Sequence, residues 1–135
     1  MILTISAEHN DARLQGSLNF LHTGGTPVID FYAGARPSSG GTPSGALIGT
    51  IDLPNPCATL TGHALVFVCP QDGVAVSSGT PTWARVRNGG GAHAMDIDVI
   101  AVADIGAAGD SYLALSSTTI YAGGTIRLIS PSVIG

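Results

Sequence analysis

Along the first 24 residues the apolar positions Leu14, Leu18 and Leu21 recur at intervals of four and three, with Asp11, Arg13, Gln15 and Asn19 between them. That spacing places the three leucines on one helical face. Ser6 is suited to cap the first turn, Glu8 lies where the helix dipole favours an acid, and Thr23-Gly24-Gly25 provides a stop. The pattern predicts an amphipathic helix over residues 7–22. Gly16 within it costs up to ~1 kcal/mol relative to alanine, so packing has to hold this helix. An apolar lead-in, Met1, Ile2, Leu3, Thr4 and Ile5, forms an arm ahead of it.

After Thr26 the period changes from helical to two. Short runs rich in Val, Ile, Thr and aromatics are separated by Gly, Pro, Ser and Asp clusters, which is how strands and turns read. Strands are predicted over 28–33, 46–53, 63–69, 82–87, 94–101, 111–116, 119–122 and 125–130. Alternation sets Trp83, Arg85 and Arg87 on one face of their strand and Ala84 and Val86 on the other. No helical pattern separates the strands, which disfavours a parallel α/β sheet. The expectation is one domain over residues 1–135: a mainly β chain, an antiparallel β-sandwich or jelly roll of seven or eight strands over 27–131, with a single N-terminal helix. The 34–45 stretch, rich in Gly, Ser and Pro, reads as a mobile surface loop.

Composition narrows the classes. Only 10 % of the residues are charged, against about 25 % in an average domain. All five cations are arginine (Arg13, Arg36, Arg85, Arg87, Arg127), and the net charge is −4. A nucleic-acid footprint needs a clustered basic face, so no nucleic-acid partner is expected. The longest apolar stretch, 97–108, is broken by Asp98 and Asp104, so no membrane partner is expected either. The N-terminal residues carry no signal-peptide pattern, and the chain is expected to be soluble and made inside a cell. Its apolar content of 44 % is ordinary and excludes disorder.

Candidate chemistry is sparse. Cys57, His63 and Cys69 stand six apart, with His93 farther on, but a zinc site normally includes a close cysteine pair. The two cysteines are expected to be buried thiols, with a bridge left open if they fall on neighbouring strands. Asp96, Asp98 and Asp104 are too widely spaced for a calcium cage, and Asp96 and Asp98 are expected on a solvated strand face. No G-x-S-x-G elbow surrounds a serine. Asn88-Gly89-Gly90-Gly91 lacks the lysine of a phosphate-binding loop. Trp83 with Arg85 and Arg87 is expected to be a packing anchor with an arginine rim, or else a surface for stacking a base or sugar. These readings predict no catalytic residue, no metal and no cofactor.

The order of short motifs carries more. Ala12-Arg13-Leu14 is followed by Val28-Ile29-Asp30-Phe31-Tyr32-Ala33-Gly34-Ala35-Arg36-Pro37, then by Gly79-Thr80-Pro81-Thr82-Trp83-Ala84-Arg85 and Ala94-Met95-Asp96. Gly109-Asp110-Ser111-Tyr112-Leu113-Ala114-Leu115 and Ile120-Tyr121-Ala122-Gly123 close the series. This order resembles a family of small tailed-bacteriophage virion structural proteins. The chain departs at Asp96-Ile97, where that family has Asp-Gly, so a strand running on through Val99 is expected in place of a tight turn. The resemblance implies a non-enzymatic virion component, first of all a capsid cement or decoration protein on the capsid exterior, present in the host cytoplasm during assembly. Its implied partners are the major capsid protein and copies of itself, as a dimer or trimer. The interface residues expected on this reading are Met1, Ile2, Leu3, Thr4, Ile5, Trp83 and Arg85. A tail-associated subunit (tube, completion or fibre-linked) and a carbohydrate-binding β-sandwich module are the alternatives.

Overall fold

Ser6 holds an extended backbone and its hydroxyl accepts a hydrogen bond from the His9 N–H at 3.1 Å, opening the helix α1 (Ala7–Leu21). The computed structural model describes residues 4–68, 72–107 and 111–135. Leu14 and Leu21 are buried and Leu18 packs against the core, so the predicted face is the one that docks. Ten strands follow among the described residues: β1 (Val28–Tyr32), β2 (Leu47–Asp52), β3 (Ala58–Thr61), β4 (Ala64–Phe67), β5 (Gly73–Ala75), β6 (Trp83–Arg87), β7 (His93–Ala101), β8 (Tyr112–Leu115), β9 (Thr125–Ile126) and β10 (Leu128–Ile134). The chain is mainly β with one N-terminal helix. No helix among the described residues is long and apolar enough to cross a membrane.

The strands pair in the single order β3-β4-β10-β8-β7-β6-β1-β2-β5-β9. One buried cluster draws residues from both halves of this curled sheet, from Phe31 and Ile48 to Leu65, Phe67 and Leu113. Strand β7 joins the halves. Residues from His93 to Asp98 pair antiparallel with β6, and Val99–Ala101 pair parallel with β8. This parallel pair departs from the all-antiparallel expectation. It is reached through a short 3-10 helix, Val102–Ala107, followed by residues outside those described. Strand β7 runs on through Val99, as the departure at Asp96-Ile97 led us to expect.

The cross-strand register sorts the side chains into faces. Inward rows run through Ile51, Ile29, Val86 and Met95, and through Ala75, Gly49, Phe31, Ala84 and Ile97. Outward, the corresponding row is Thr125, Val74, Thr50, Asp30, Arg85 and Asp96. Gly49 is required where these strands meet, because a Cβ there would stand 2.5 Å from Ile126 Cδ1 and 2.9 Å from the Val74 carbonyl oxygen. The Asn88-Gly89-Gly90-Gly91 turn is structural for the same reason. Gly89 lies backbone to backbone on Gly25, with its N–H donating to the Leu21 carbonyl.

Three differences from the expected strands have local causes. Segments β3 and β5 are too short to show a period. The 119–122 run gives only an isolated bridge, Ile120 to Gly79. Strand β10 continues past Pro131, which lacks an amide hydrogen. The register shifts between Ile129 and Val133, and the buried Ser132 hydroxyl fills the gap by accepting from the Ala114 N–H and donating to the Ile129 carbonyl.

Two glycine substitutions test this packing. Gly16→Ala, in an exposed helical position with nothing within 4 Å of the added Cβ, should stabilise the protein by about 0.5–1 kcal/mol. Gly49→Ala should destabilise it by about 1–3 kcal/mol. Urea unfolding of the two variants checks both signs.

Candidate functional site

Three strands, β1, β6 and β7, turn charge outward, and the register brings opposite charges together. The Arg87 guanidinium is bidentate to Asp30, at 2.8 and 3.2 Å, and the Thr50 hydroxyl donates to the same carboxylate at 2.8 Å. Arg85 is likewise bidentate to Asp96, at 2.9 and 3.3 Å, with His93 Nε2 3.1 Å from Asp96 on the other side. Only 14 % of the Arg85 side chain and 5 % of that of Asp96 are exposed. Removing one partner of such a pair leaves the other charge buried and uncompensated, which costs far more than breaking a surface pair.

The aromatic pair lies on the same face. Tyr32 and Trp83 face each other across β1 and β6, and their rings stack at 4.7 Å between centroids with planes 15° apart. The Arg85 guanidinium sits 5.4 Å from the Trp83 ring centroid, within cation–π range. Trp83 is 1 % exposed, and its indole N–H finds no acceptor among the described residues.

The 34–45 loop covers this face. The Gly41 carbonyl accepts from Arg85 at 2.7 Å, the Gly40 N–H donates to Asp96 at 3.4 Å, and Arg36 reaches both the Asp96 carbonyl and the Asp98 carboxylate. The stretch read as a mobile surface loop is therefore anchored. The expectation that Asp96 shares a solvated face with Asp98 holds for Asp98 alone, since the loop encloses Asp96. Burial raises the Asp96 carboxyl, but hydrogen bonds from Arg85, Gly40 and His93 outweigh it and hold the group below the ordinary carboxylate value.

Of the expected interface residues, Met1, Ile2 and Leu3 lie outside the described residues. Thr4 is exposed and Ile5 half-buried. Trp83 and Arg85 lie on a covered face in the single chain, 1 % and 14 % exposed, because strand alternation assigns a side but does not reveal what a distant loop lays over it. Cys57 and His63 do not converge. Cys57 is buried before β3, where burial pushes its thiol up to about 11, while His63 occupies the exposed turn after β3, 3.0 Å from Asp11. Cys69 lies outside the described residues.

Exposed apolar surface gathers elsewhere. Val74 and Val76 flank the inward-facing Ala75 and are 62 % and 66 % exposed, and Tyr121 is 70 % exposed. The turn after Tyr121 is bonded to Ala75 on both sides, through the Gly123 N–H and the Gly124 carbonyl, so the three residues share one end of the sheet. Beside them opens a cleft of about 450 Å³ lined by Thr50, Asp52, Leu53, Pro54, Asp72 and Val74. The hydrogen bond from Arg127, at 2.9 Å, holds the Asp72 carboxyl below its ordinary value.

No family model matches this chain, and neither a curated protein nor a solved structure matches it.

Two outcomes follow from the charged face. Arg87→Met leaves the Asp30 carboxylate largely buried without its cation, which should cost roughly 3 kcal/mol in urea unfolding. Because the Asp96 carboxyl is depressed in the folded state, its contribution is full above about pH 4. That contribution should be lost as the pH falls through the lower folded-state value. Urea midpoints measured between pH 6 and pH 2 should fall in the acid range, and more shallowly in Asp96→Asn.

Proposed function

We propose that this protein is a non-enzymatic structural subunit of a tailed-bacteriophage virion, first of all a cement or decoration protein that binds the assembled head. The observation that carries the reading is the exposed apolar end formed by Val74, Val76 and Tyr121. On a chain with few charges, such a surface is suited to contact with other subunits. The order of motifs from Ala12-Arg13-Leu14 to Ile120-Tyr121-Ala122-Gly123 supports the same class. The arginine usage is compatible with it: Arg36, Arg85, Arg87 and Arg127 are each paired with an aspartate of the same chain, which leaves little cationic surface to repel neighbouring copies.

A subunit that binds only the expanded shell stabilises that state by mass action, without any chemical step. The major capsid protein and further copies of this chain are the partners this requires. A tail-associated subunit would use the same surface on a different lattice. A carbohydrate-binding module is less favoured, since Trp83 is buried beneath Tyr32 and Arg85 rather than presented as a platform.

Mixing the protein with expanded phage heads that lack their own decoration protein should give stoichiometric, symmetric density on the shell by electron microscopy. Val74→Asp combined with Val76→Asp should remove that density while leaving the urea midpoint nearly unchanged. Density confined to the tail would overturn the head assignment.

A further inference from the structure

We propose that the 34–45 loop is a releasable strap, latched by the Arg85–Asp96 pair over the stacked rings of Tyr32 and Trp83. This inference is independent of the virion reading and rests on how the loop is held. Its neck is defined. The Ala33 N–H donates to the Ala46 carbonyl, Gly34 has a φ of +84°, and Gly45 lies so close to the Ala33 carbonyl that any side chain there would collide. Thr82 fixes the near end by donating its hydroxyl to the Gly34 carbonyl.

Beyond the neck the loop has no anchor in the buried core cluster. Its side chains are those of Ala35, Arg36, two prolines, serines and Thr42, and none of them belongs to the buried core cluster. The contacts that hold it down are polar. Gly41 is held by Arg85, Gly40 by the Asp96 carboxylate, and Arg36 by the Asp96 carbonyl and the exposed Asp98 carboxylate. Two of these depend directly on the side chains of the Arg85–Asp96 pair. The Arg36–Asp98 contact is solvated and contributes little.

The closed state also carries an unfavourable element. The Trp83 indole N–H is buried with no acceptor among the described residues, and a buried donor left unpaired costs free energy. The contacts at Gly40 and Gly41 thus converge on the side chains of one ion pair, while β1, β6 and β7 are held by their own ladders. Lifting the strap uncovers a stacked aromatic pair beside two guanidinium groups.

The groups facing Asp96 define how the latch responds to acid. Arg85 reaches it from β6, His93 from its own strand and the Gly40 N–H from the loop. Arg36 is engaged by Asp98, Arg87 is taken by Asp30, and Tyr32 lies beyond on β1. Release therefore awaits protonation of Asp96 itself, below about pH 4.

Trp83 is the chain's single tryptophan, so tryptophan fluorescence and its quenching report on this one position. In folded Asp96→Asn at neutral pH, the emission maximum should shift to the red and protection from acrylamide quenching should be lost, with far-UV circular dichroism retained. Asp72→Asn, which breaks the exposed pair with Arg127, should leave both signals as in the wild type. A folded Asp96→Asn variant with Trp83 still protected would overturn the proposal. Should that variant fail to fold, acid titration of the wild type decides. Quenching that rises at a higher pH than the collapse of the far-UV signal supports the strap, and coincident changes overturn it.

Discussion

The bidentate pair between Arg85 and Asp96 is where the parts of this molecule meet. It crosses from β6 to β7, lies against the Trp83 ring, and fixes the 34–45 loop to the sheet. The same two strands face inward with Ala84, Val86 and Ile97, which are all buried. One strand pair therefore builds the apolar core on one side and a covered polar layer on the other. Strand β7 then passes from β6 to β8, so an opening at β6–β7 would also disturb the junction that makes one sheet of two halves.

This arrangement explains a composition that is otherwise puzzling. Two of the five arginines, Arg85 and Arg87, form bidentate pairs on the covered face, while Arg36 and Arg127 pair at the surface. Arg85 and Arg87 use the planar guanidinium fork, which lysine cannot reproduce. What remains outside is polar, weakly charged, and apolar at the end around Ala75. It is this surface on which the proposed assembly role rests.

Much of the fold was legible in the residues. Leu14, Leu18 and Leu21 marked the docked face of the helix, and alternation in 83–87 placed Trp83, Arg85 and Arg87 together on the side they occupy. What could not be read was what lies above that side. The 34–45 stretch has the composition of an unanchored loop, and its attachment depends on backbone groups of Gly40 and Gly41, which leave no mark in a side-chain pattern. A partial signal was present: arginines at 85 and 87 and aspartates at 30, 96 and 98 sit in strand runs, where opposite charges invite pairing across a sheet. It could be used only once the register was known. Strands β3 and β5 and the passage of β10 through Pro131 escaped for a different reason, because short or interrupted ladders are set by their neighbours rather than by local propensity.

The role given to the Arg85–Asp96 pair is tested most directly by a double-mutant cycle. Unfolding free energies of the wild type, Arg85→Met, Asp96→Asn and the combined variant are compared at neutral pH. The account predicts a coupling energy of about 1.5 kcal/mol or more, within the range for side chains in direct contact. Single-variant effects that add to within about 0.5 kcal/mol, as for independent sites, would contradict it.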